Sequence, residues 1–320
     1  MLRVPYNKNK YLIEVKISKE DVMKKMMLLV CGMIFAATVF GGDFPQDYQS
    51  AIKLYNGGKY AEAEEAFVKL TEQTSAPRGI DESLAYAAYS AEQQKKSDKA
   101  LEFAGKIKDK TLNTFCRMKL LEIQKKWVDI IALSKDEDFE KWPEYLIYGA
   151  YNCRGNAYSR ANNAEKSEKD FLCAEKNTMD AGNKASVFQT LGNLYRDVLK
   201  DKQKSLDAYG KVVKIMSAPK PSMSGGMLGR ALTARAKLLA SQGKGTEALA
   251  ELEKFKEIET KDPYWSCAMQ ICYGEVYDLT GKNTEALESY RKAAAVANAP
   301  ADMLKDANQK MADLEQKIKK

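Results

Sequence analysis

The sequence has no histidine among its 320 residues. Catalytic triads with an imidazole base, haem held by histidine and nearly every zinc-enzyme site are therefore excluded, because each depends on that side chain. Proline is also scarce, with 8 residues, while 45% of the residues are hydrophobic and 30% are charged. This composition is typical of a soluble, helix-rich globular chain and not of a disordered or collagenous one.

Cysteine spacing and glycine-rich segments offer no cofactor site. The six cysteines include no CxxC pair, and no GxxxxGK[ST] phosphate loop occurs in the chain. Cys153 and Cys173 fall in the two helices of one predicted unit, so they are the only plausible disulfide; buried free thiols are the alternative. The sequence therefore predicts neither a metal ion nor another cofactor.

Most of the net positive charge lies in the first 42 residues, and the rest of the chain has no concentrated basic segment. Residues 1–42 carry seven basic and three acidic side chains, which account for more than half of the formal net charge of +7. In the remainder, basic and acidic residues alternate along the segments. Binding to nucleic acid needs a concentrated basic face that displaces counterions, so a nucleic-acid partner is not predicted.

The first 42 residues resemble a secretory signal. Met23-Lys24-Lys25 precedes the uncharged segment Met26–Phe40, and Gly41-Gly42 follows it. Fifteen uncharged residues are short for a membrane span, which needs about 20. Translation from Met23 would explain the long positive region. We therefore expect export to the periplasm or cell envelope, with no membrane span after cleavage; an uncleaved anchor or a buried helix are the alternatives.

Seven segments of the chain repeat one helix-turn-helix pattern. In the clearest of them Tyr273–Tyr277 ends a helix, Gly281 lies in the turn, and Ala286 and Tyr290 follow on a second helix. A small residue at the position of Ala286 lets two helices approach closely, and the aromatic residue one turn later fills the gap to the next unit. The equivalent anchor positions are Ala63, Ala100, Ile130, Ser167, Ser205, Ala248 and Ala286.

These residues resemble the tetratricopeptide repeat (TPR), a helix-turn-helix unit of 34 residues with Leu-Gly, Tyr, Ala and Phe at fixed offsets. The resemblance covers about residues 45–300 and implies an all-α solenoid of about seven TPR-like repeats, wound as a right-handed superhelix. The anchors are 30 to 43 residues apart, so longer linkers join most units, and the third unit is expected to be distorted.

The predicted organisation has five parts. A leader occupies residues 1–42, repeats one to five occupy 43–217, a linker loop occupies 218–229, and repeats six and seven occupy 230–300. Residues 301–320 place apolar side chains at helical spacing, which indicates a C-terminal capping helix with a polar outer face.

TPR proteins usually bind peptides or partner proteins on a concave face formed by the first helices of their units. The resemblance places the following residues on that face: Tyr48, Ile52, Tyr55, Tyr86, Tyr89, Phe115, Lys119, Asn152, Asn156, Arg160, Gln189, Asn193, Arg196, Arg230, Lys237, Ile271 and Glu275. Asparagine and glutamine can pair with the backbone of an extended peptide, and arginine can hold a carboxylate. Some TPR proteins bind the C-terminal tails of chaperones through a set of two lysines, two asparagines and an arginine. This sequence does not reproduce that set.

The resulting hypothesis is a non-enzymatic, exported scaffold that binds a protein or peptide in its groove and serves envelope assembly or organisation. Two alternatives remain open. The protein could bind envelope polysaccharide or peptidoglycan, with Trp127, Trp142 and Trp265 stacking on sugars, or it could be an enzyme or an accessory subunit of one.

Overall fold

In a computed structural model, the described residues 44–217, 225–256 and 262–319 form fifteen α-helices and one short 3₁₀-helix at Phe139–Lys141. The helices are α1 (Phe44–Asn56), α2 (Tyr60–Gln73), α3 (Pro77–Gln93), α4 (Ser97–Lys106), α5 (Lys110–Ile123), α6 (Trp127–Ser134), α7 (Glu144–Arg160), α8 (Ala164–Lys176), α9 (Ala181–Asp197), α10 (Lys202–Met216), α11 (Gly225–Ala240), α12 (Gly245–Lys256), α13 (Pro263–Leu279), α14 (Asn283–Ala294) and α15 (Ala301–Ile318). The predicted leader lies outside the described residues.

The helices form seven consecutive pairs followed by α15, so the predicted helix-pair organisation is confirmed. In each pair we call the two members the first and the second helix of a unit. The turn between them contains one residue with positive φ, which is glycine at Gly58, Gly243 and Gly281. At Gly58 this conformation lets the amide of Lys59 bond the carbonyl of Leu54, which satisfies the end of the first helix.

The seven anchor residues of the sequence pattern all have 0% solvent exposure. Two of them add a hydrogen bond between the helices of a unit. The Ser167 hydroxyl donates to the Gly155 carbonyl and the Ser205 hydroxyl donates to the Gly192 carbonyl, each at 2.9 Å. At the six anchors other than Ile130, small size lets the helices come into contact, and the two serine hydroxyls are satisfied by the opposite backbone.

The described chain divides into two compact units. One ends at Leu120 and the other begins at Leu121. In the second, α13 packs against α11, α14 and α15. The capping helix α15 buries Ala307 and Leu314 against this group and keeps charged residues on its outer side.

Three local details refine the expectations from sequence. Helix α11 begins at Gly225, so residues 225–229 of the predicted linker are helical; residues 218–224 lie outside the described part. The third unit has the short helix α6, of eight residues, which agrees with its irregular spacing. Over the described ranges, no helix has both the length and the apolar character to cross a membrane.

Candidate functional site

In the first compact unit, which ends at Leu120, the predicted tyrosines lie close together. The Tyr86 ring of α3 makes edge-to-face contacts with two rings of α1, at 6.0 Å from Tyr48 and 5.8 Å from Tyr55 between centroids. These three tyrosines are partly exposed. Tyr89 is only 8% exposed and packs against Tyr86, so it belongs to the core and not to the predicted surface.

Burial changes the electrostatics of this tyrosine cluster. Desolvation raises the pKa of Tyr55 and Tyr86, and the positive charge of Lys119 partly opposes the rise. Lys119, on α5, is half-buried. The Tyr89 hydroxyl lies beside the Cys116 thiol, and burial raises the pKa of that thiol to about 12.

In the second compact unit, which begins at Leu121, the predicted groove residues of α7 share one face of the helix. Asn152, Asn156 and Arg160 are spaced four residues apart, which aligns their side chains. The Asn156 amide donates to Glu122 at 3.3 Å, and the Arg160 guanidinium lies 5.9 Å from the centre of the Trp127 ring. Asn152 and Asn156 are partly exposed and Arg160 is exposed.

On α9 the predicted polar residues are largely engaged within the protein. The Tyr209 hydroxyl donates to Asn193 at 2.6 Å, while Arg196 donates to the Tyr209 hydroxyl at 3.0 Å. Arg196 also makes two hydrogen bonds with Asp197, at 2.7 and 2.8 Å, which hold the pKa of that carboxyl below its usual range. The predicted carboxylate-binding arginine is therefore already paired.

Gln189 differs from its neighbours on α9. Its Oε1 atom is buried and, within the described part of the chain, accepts no hydrogen bond. An unpaired buried acceptor of this kind costs free energy.

A concave site lies among α11, α13 and α15, and we call it the α13 pocket. Its volume is about 390 Å³. It collects four residues that the sequence placed on the first-helix face, namely Arg230, Lys237, Ile271 and Glu275. Thr233, Tyr264, Trp265, Ala268, Cys272, Asp302, Met303 and Asp306 complete the lining.

Charged side chains from three helices meet at the α13 pocket. Glu275 of α13 pairs with Lys237 of α11 and with Lys310 of α15, the latter at 2.9 Å. This ion network fastens the capping helix beside the pocket. Arg230 is exposed on the α11 side, and its Nε atom donates to the Gly226 carbonyl at 3.3 Å. The pocket thus combines an apolar floor with polar walls, a combination suited to binding a side chain.

Sequence reasoning missed several lining residues. Thr233 lies between Arg230 and Lys237 at helical spacing, so periodicity alone could have identified it. Asp302 and Asp306 could not be found in this way, because they reach the pocket only through the packing of α15. The sequence predicts Trp265 only as a residue that stacks on sugars, whereas in the structure it lines the pocket.

Two partly buried arginines were also missed. Arg154 pairs with Asp170 through two hydrogen bonds of 2.8 and 3.0 Å, and its Nη1 atom donates to the Ser134 carbonyl. Arg235 pairs with Glu251 in the same way at 3.0 and 3.1 Å and donates to a carbonyl of α10. Both arginines precede their acidic partner by sixteen residues, so they are equivalent structural pairs between the helices of a unit.

The cysteines and tryptophans bear on three possible activities of the protein: thiol chemistry, sugar binding and metal binding. All five described cysteines are free thiols, including Cys153 and Cys173. Burial raises the pKa of Cys272 to about 12, which keeps the thiol protonated and unreactive at neutral pH. Trp142 is 7% exposed and packs on Phe139, so it cannot stack on a sugar. Across the described ranges, no cluster of three acidic or cysteine side chains could hold a metal ion.

Comparisons with known proteins give a fold likeness without a sequence match. No family model matches the chain, and no curated protein matches it. The C-terminal part of a TPR repeat-containing protein from Cytophaga hutchinsonii is 18% identical, with a TM-score of 0.50 over 81% of this chain and 98% of that one. This likeness shows the fold, an all-α TPR-like solenoid of helix pairs.

Two further solved structures have similar coverage. A tetratricopeptide repeat protein from Parabacteroides merdae is 16% identical, with a TM-score of 0.45 over 85% of this chain and 100% of that one. PilF from Pseudomonas aeruginosa is 12% identical, with a TM-score of 0.48 over 86% of this chain and 97% of that one.

Proposed function

We propose that this protein is a non-enzymatic, exported scaffold that binds a protein or peptide segment against the first helices of its units. Its place is the periplasm or another part of the cell envelope, and its role is in envelope assembly or organisation. The leader supports export, because a basic start, an apolar core and a small-residue exit are recognised for secretion.

The observation that carries the proposal is the α13 pocket. Its volume of about 390 Å³ can accept one or two side chains of a partner segment. Apolar residues such as Trp265 and Ile271 supply contact area, while Arg230 and Asp302 supply opposite charges on two walls. Such a mixture gives both burial and orientation to a bound segment.

Amide side chains offer a way to hold the backbone of that segment. Asn152 and Asn156 lie on one face of α7, and Gln189 on α9 has a buried oxygen that accepts no hydrogen bond among the described residues. Amide groups can both donate to and accept from an extended backbone without reading its sequence. An enzymatic role has less support, because the chain has no histidine and the buried thiols are protonated.

Affinity capture with charge-reversal variants tests this function. The full chain would be immobilised and exposed to an envelope extract of the source cell, and retained proteins would be identified by mass spectrometry. Arg230→Glu alters the pocket, while Lys169→Glu makes the same charge change on the exposed side of the second helix α8. We expect a partner that the wild type and Lys169→Glu retain and Arg230→Glu loses. Equal retention by all three would contradict binding at the pocket.

A further inference from the structure

The charged side chains of the α13 pocket differ in whether the protein itself pairs them. Glu275 is paired with Lys237 and with Lys310, so these charges are satisfied within the molecule. Arg230 and Asp302 line the same pocket. Neither of them forms an ion pair within 4.0 Å with any described residue, so the pocket holds opposite charges that do not contact each other.

The two unpaired charges come from the helices that flank α13. Helix α13 packs against α11, which carries Arg230, and against α15, which carries Asp302. Packed helices lie about 8–10 Å apart, so the axes of α11 and α15 are at most about 20 Å apart. Ala268 and Ile271 of α13 contribute apolar lining. A segment that crosses from α11 to α15 therefore meets a cation, an apolar surface and an anion in that order.

We propose that the α13 pocket binds an extended segment of the partner whose alternate residues are acidic, apolar and basic. The inference rests on the proposed function and specifies which partner segment suits that site. The acidic side chain pairs with Arg230, the apolar side chain packs on Ile271, and the basic side chain pairs with Asp302. Charge complementarity of this kind selects a partner and fixes its direction across the helices.

The dimensions of the pocket agree with such a segment. In an extended chain, every second side chain lies on the same side and each residue adds about 3.3 Å. The acidic and basic residues are then about 13 Å apart, and their side chains extend this reach toward α11 and α15. The pocket volume of about 390 Å³ accommodates the apolar side chain between them.

Arg230 is available for a ligand without a change in the fold. It is exposed, and its Nε atom donates to the Gly226 carbonyl of the same helix at 3.3 Å. A guanidinium has five N–H donors, so most of them remain for a carboxylate. Asp302 lies in the first turn of α15, where a negative charge also favours the helix N-terminus. Arg230 is therefore the position where charge reversal disturbs the protein least.

Fluorine NMR with defined peptides tests the inference. The full chain, labelled with 5-fluorotryptophan, reports on the pocket through Trp265, and Trp265→Phe assigns its signal. The probes are acetyl-Ala-Glu-Ala-Leu-Ala-Lys-Ala-amide, the same sequence in reverse order, and a neutral version with glutamine at both charged positions. We expect one charged peptide to shift the Trp265 signal and to bind about fivefold more tightly than the neutral one.

Reciprocal exchange of charges identifies the pairs. Arg230→Glu should weaken binding of the charged peptide about tenfold, and a peptide with lysine in place of its glutamate should recover the affinity for this variant. Asp302→Asn should weaken binding about fivefold and make lysine and glutamine equivalent at the basic position of the peptide. Lys169→Glu, on the exposed side of α8, is the matched control and should change neither affinity. Circular dichroism would check that each variant stays folded.

Three results would overturn the inference. The first is equal affinity for the charged and neutral peptides, or binding of none of them. The second is a loss of affinity in a folded Arg230→Glu variant that the exchanged peptide does not recover. The third is binding that ignores both Asp302→Asn and the basic residue of the peptide, which would make the pocket a site for acidic segments alone. In each case, capture of an envelope protein that depends on Arg230 would leave the proposed scaffold function intact.

Discussion

The ring of Tyr209 lies against the bare Cα of Gly192, so that a Cβ built at Gly192 would stand 2.7 Å from Tyr209 Cε1. This contact joins α9 to α10, and Gly155 with Phe171 is its counterpart in the preceding unit. The small residue of the repeat pattern therefore has a direct physical cause: any side chain would overlap a ring that is fully buried.

We predict that Gly192→Ala destabilises the protein, because the added methyl group must displace Tyr209. Overpacking of this kind costs about 1–3 kcal/mol. Gly105→Ala is the control, since a Cβ at Gly105 meets nothing within 4 Å and alanine favours a helix. Urea unfolding should show a lower midpoint for the first variant and an unchanged or higher one for the second. Equal midpoints would contradict close packing at Gly192.

Arg154 should matter more to stability than exposed arginines. Its side chain is 12% exposed and that of Asp170 is 5% exposed, so Arg154→Ala leaves a carboxylate buried without its partner. Loss of one member of such a pair costs about 3–5 kcal/mol. Arg78→Ala removes an exposed pair with Glu82, which is worth about 1 kcal/mol or less. Thermal unfolding followed by circular dichroism would compare the two. A similar fall in Tm for both variants would refute the structural role of Arg154.

The pairing of Glu251 predicts a specific response to acid. Burial opposes ionisation of this carboxyl, but hydrogen bonds from Arg235 and Lys254 outweigh it and lower its pKa. A carboxyl with a depressed pKa in the folded state stabilises the protein above its unfolded pKa of about 4.3. That stability is lost as the pH falls through the folded pKa.

Glu251→Gln should therefore lower Tm at pH 7 and reduce the further loss of Tm between pH 5 and acid. Glu62→Gln removes an exposed pair with Lys59 and serves as the control. Calorimetric scans over this pH range would measure the effect. A variant whose acid dependence equals that of the wild type would show that Glu251 does not contribute as described.

The leader predicts processing on export. If Met23–Gly42 is a secretory signal, the mature chain begins near Asp43 and no peptide before it is retained. Mass spectrometry of the native protein from fractionated cells would locate the N-terminus and the compartment. A mature protein that keeps Met26–Phe40 would favour the uncleaved anchor, and recovery in the cytoplasm would contradict export.

The repeat organisation could be predicted from sequence because its signal is local and steric. Ala63, Ser167 and Ala286 occupy positions where only a small residue lets two helices meet, and each is fully buried in the structure. The positive φ at Gly58 and Gly281 likewise follows from the need to end one helix and begin the next.

The candidate site was less predictable because it depends on contacts between distant segments. Periodicity placed Arg196 on the first-helix face, but it could not show that the Arg196 guanidinium already donates two hydrogen bonds to Asp197. Nor could it show that α15 brings Asp302 to the pocket that Arg230 also lines. Tyr89 has the spacing of a surface residue, yet packing against Tyr86 removes it from solvent.

Site-specific photocross-linking in the source cell tests most directly whether a partner binds the first helices. A photoreactive phenylalanine analogue would replace Arg230 at the α13 pocket, or Lys169 on the exposed side of α8. We predict a discrete protein adduct from the first position and none from the second. An adduct from Lys169 alone, or equal adducts from both, would contradict binding on the first-helix face.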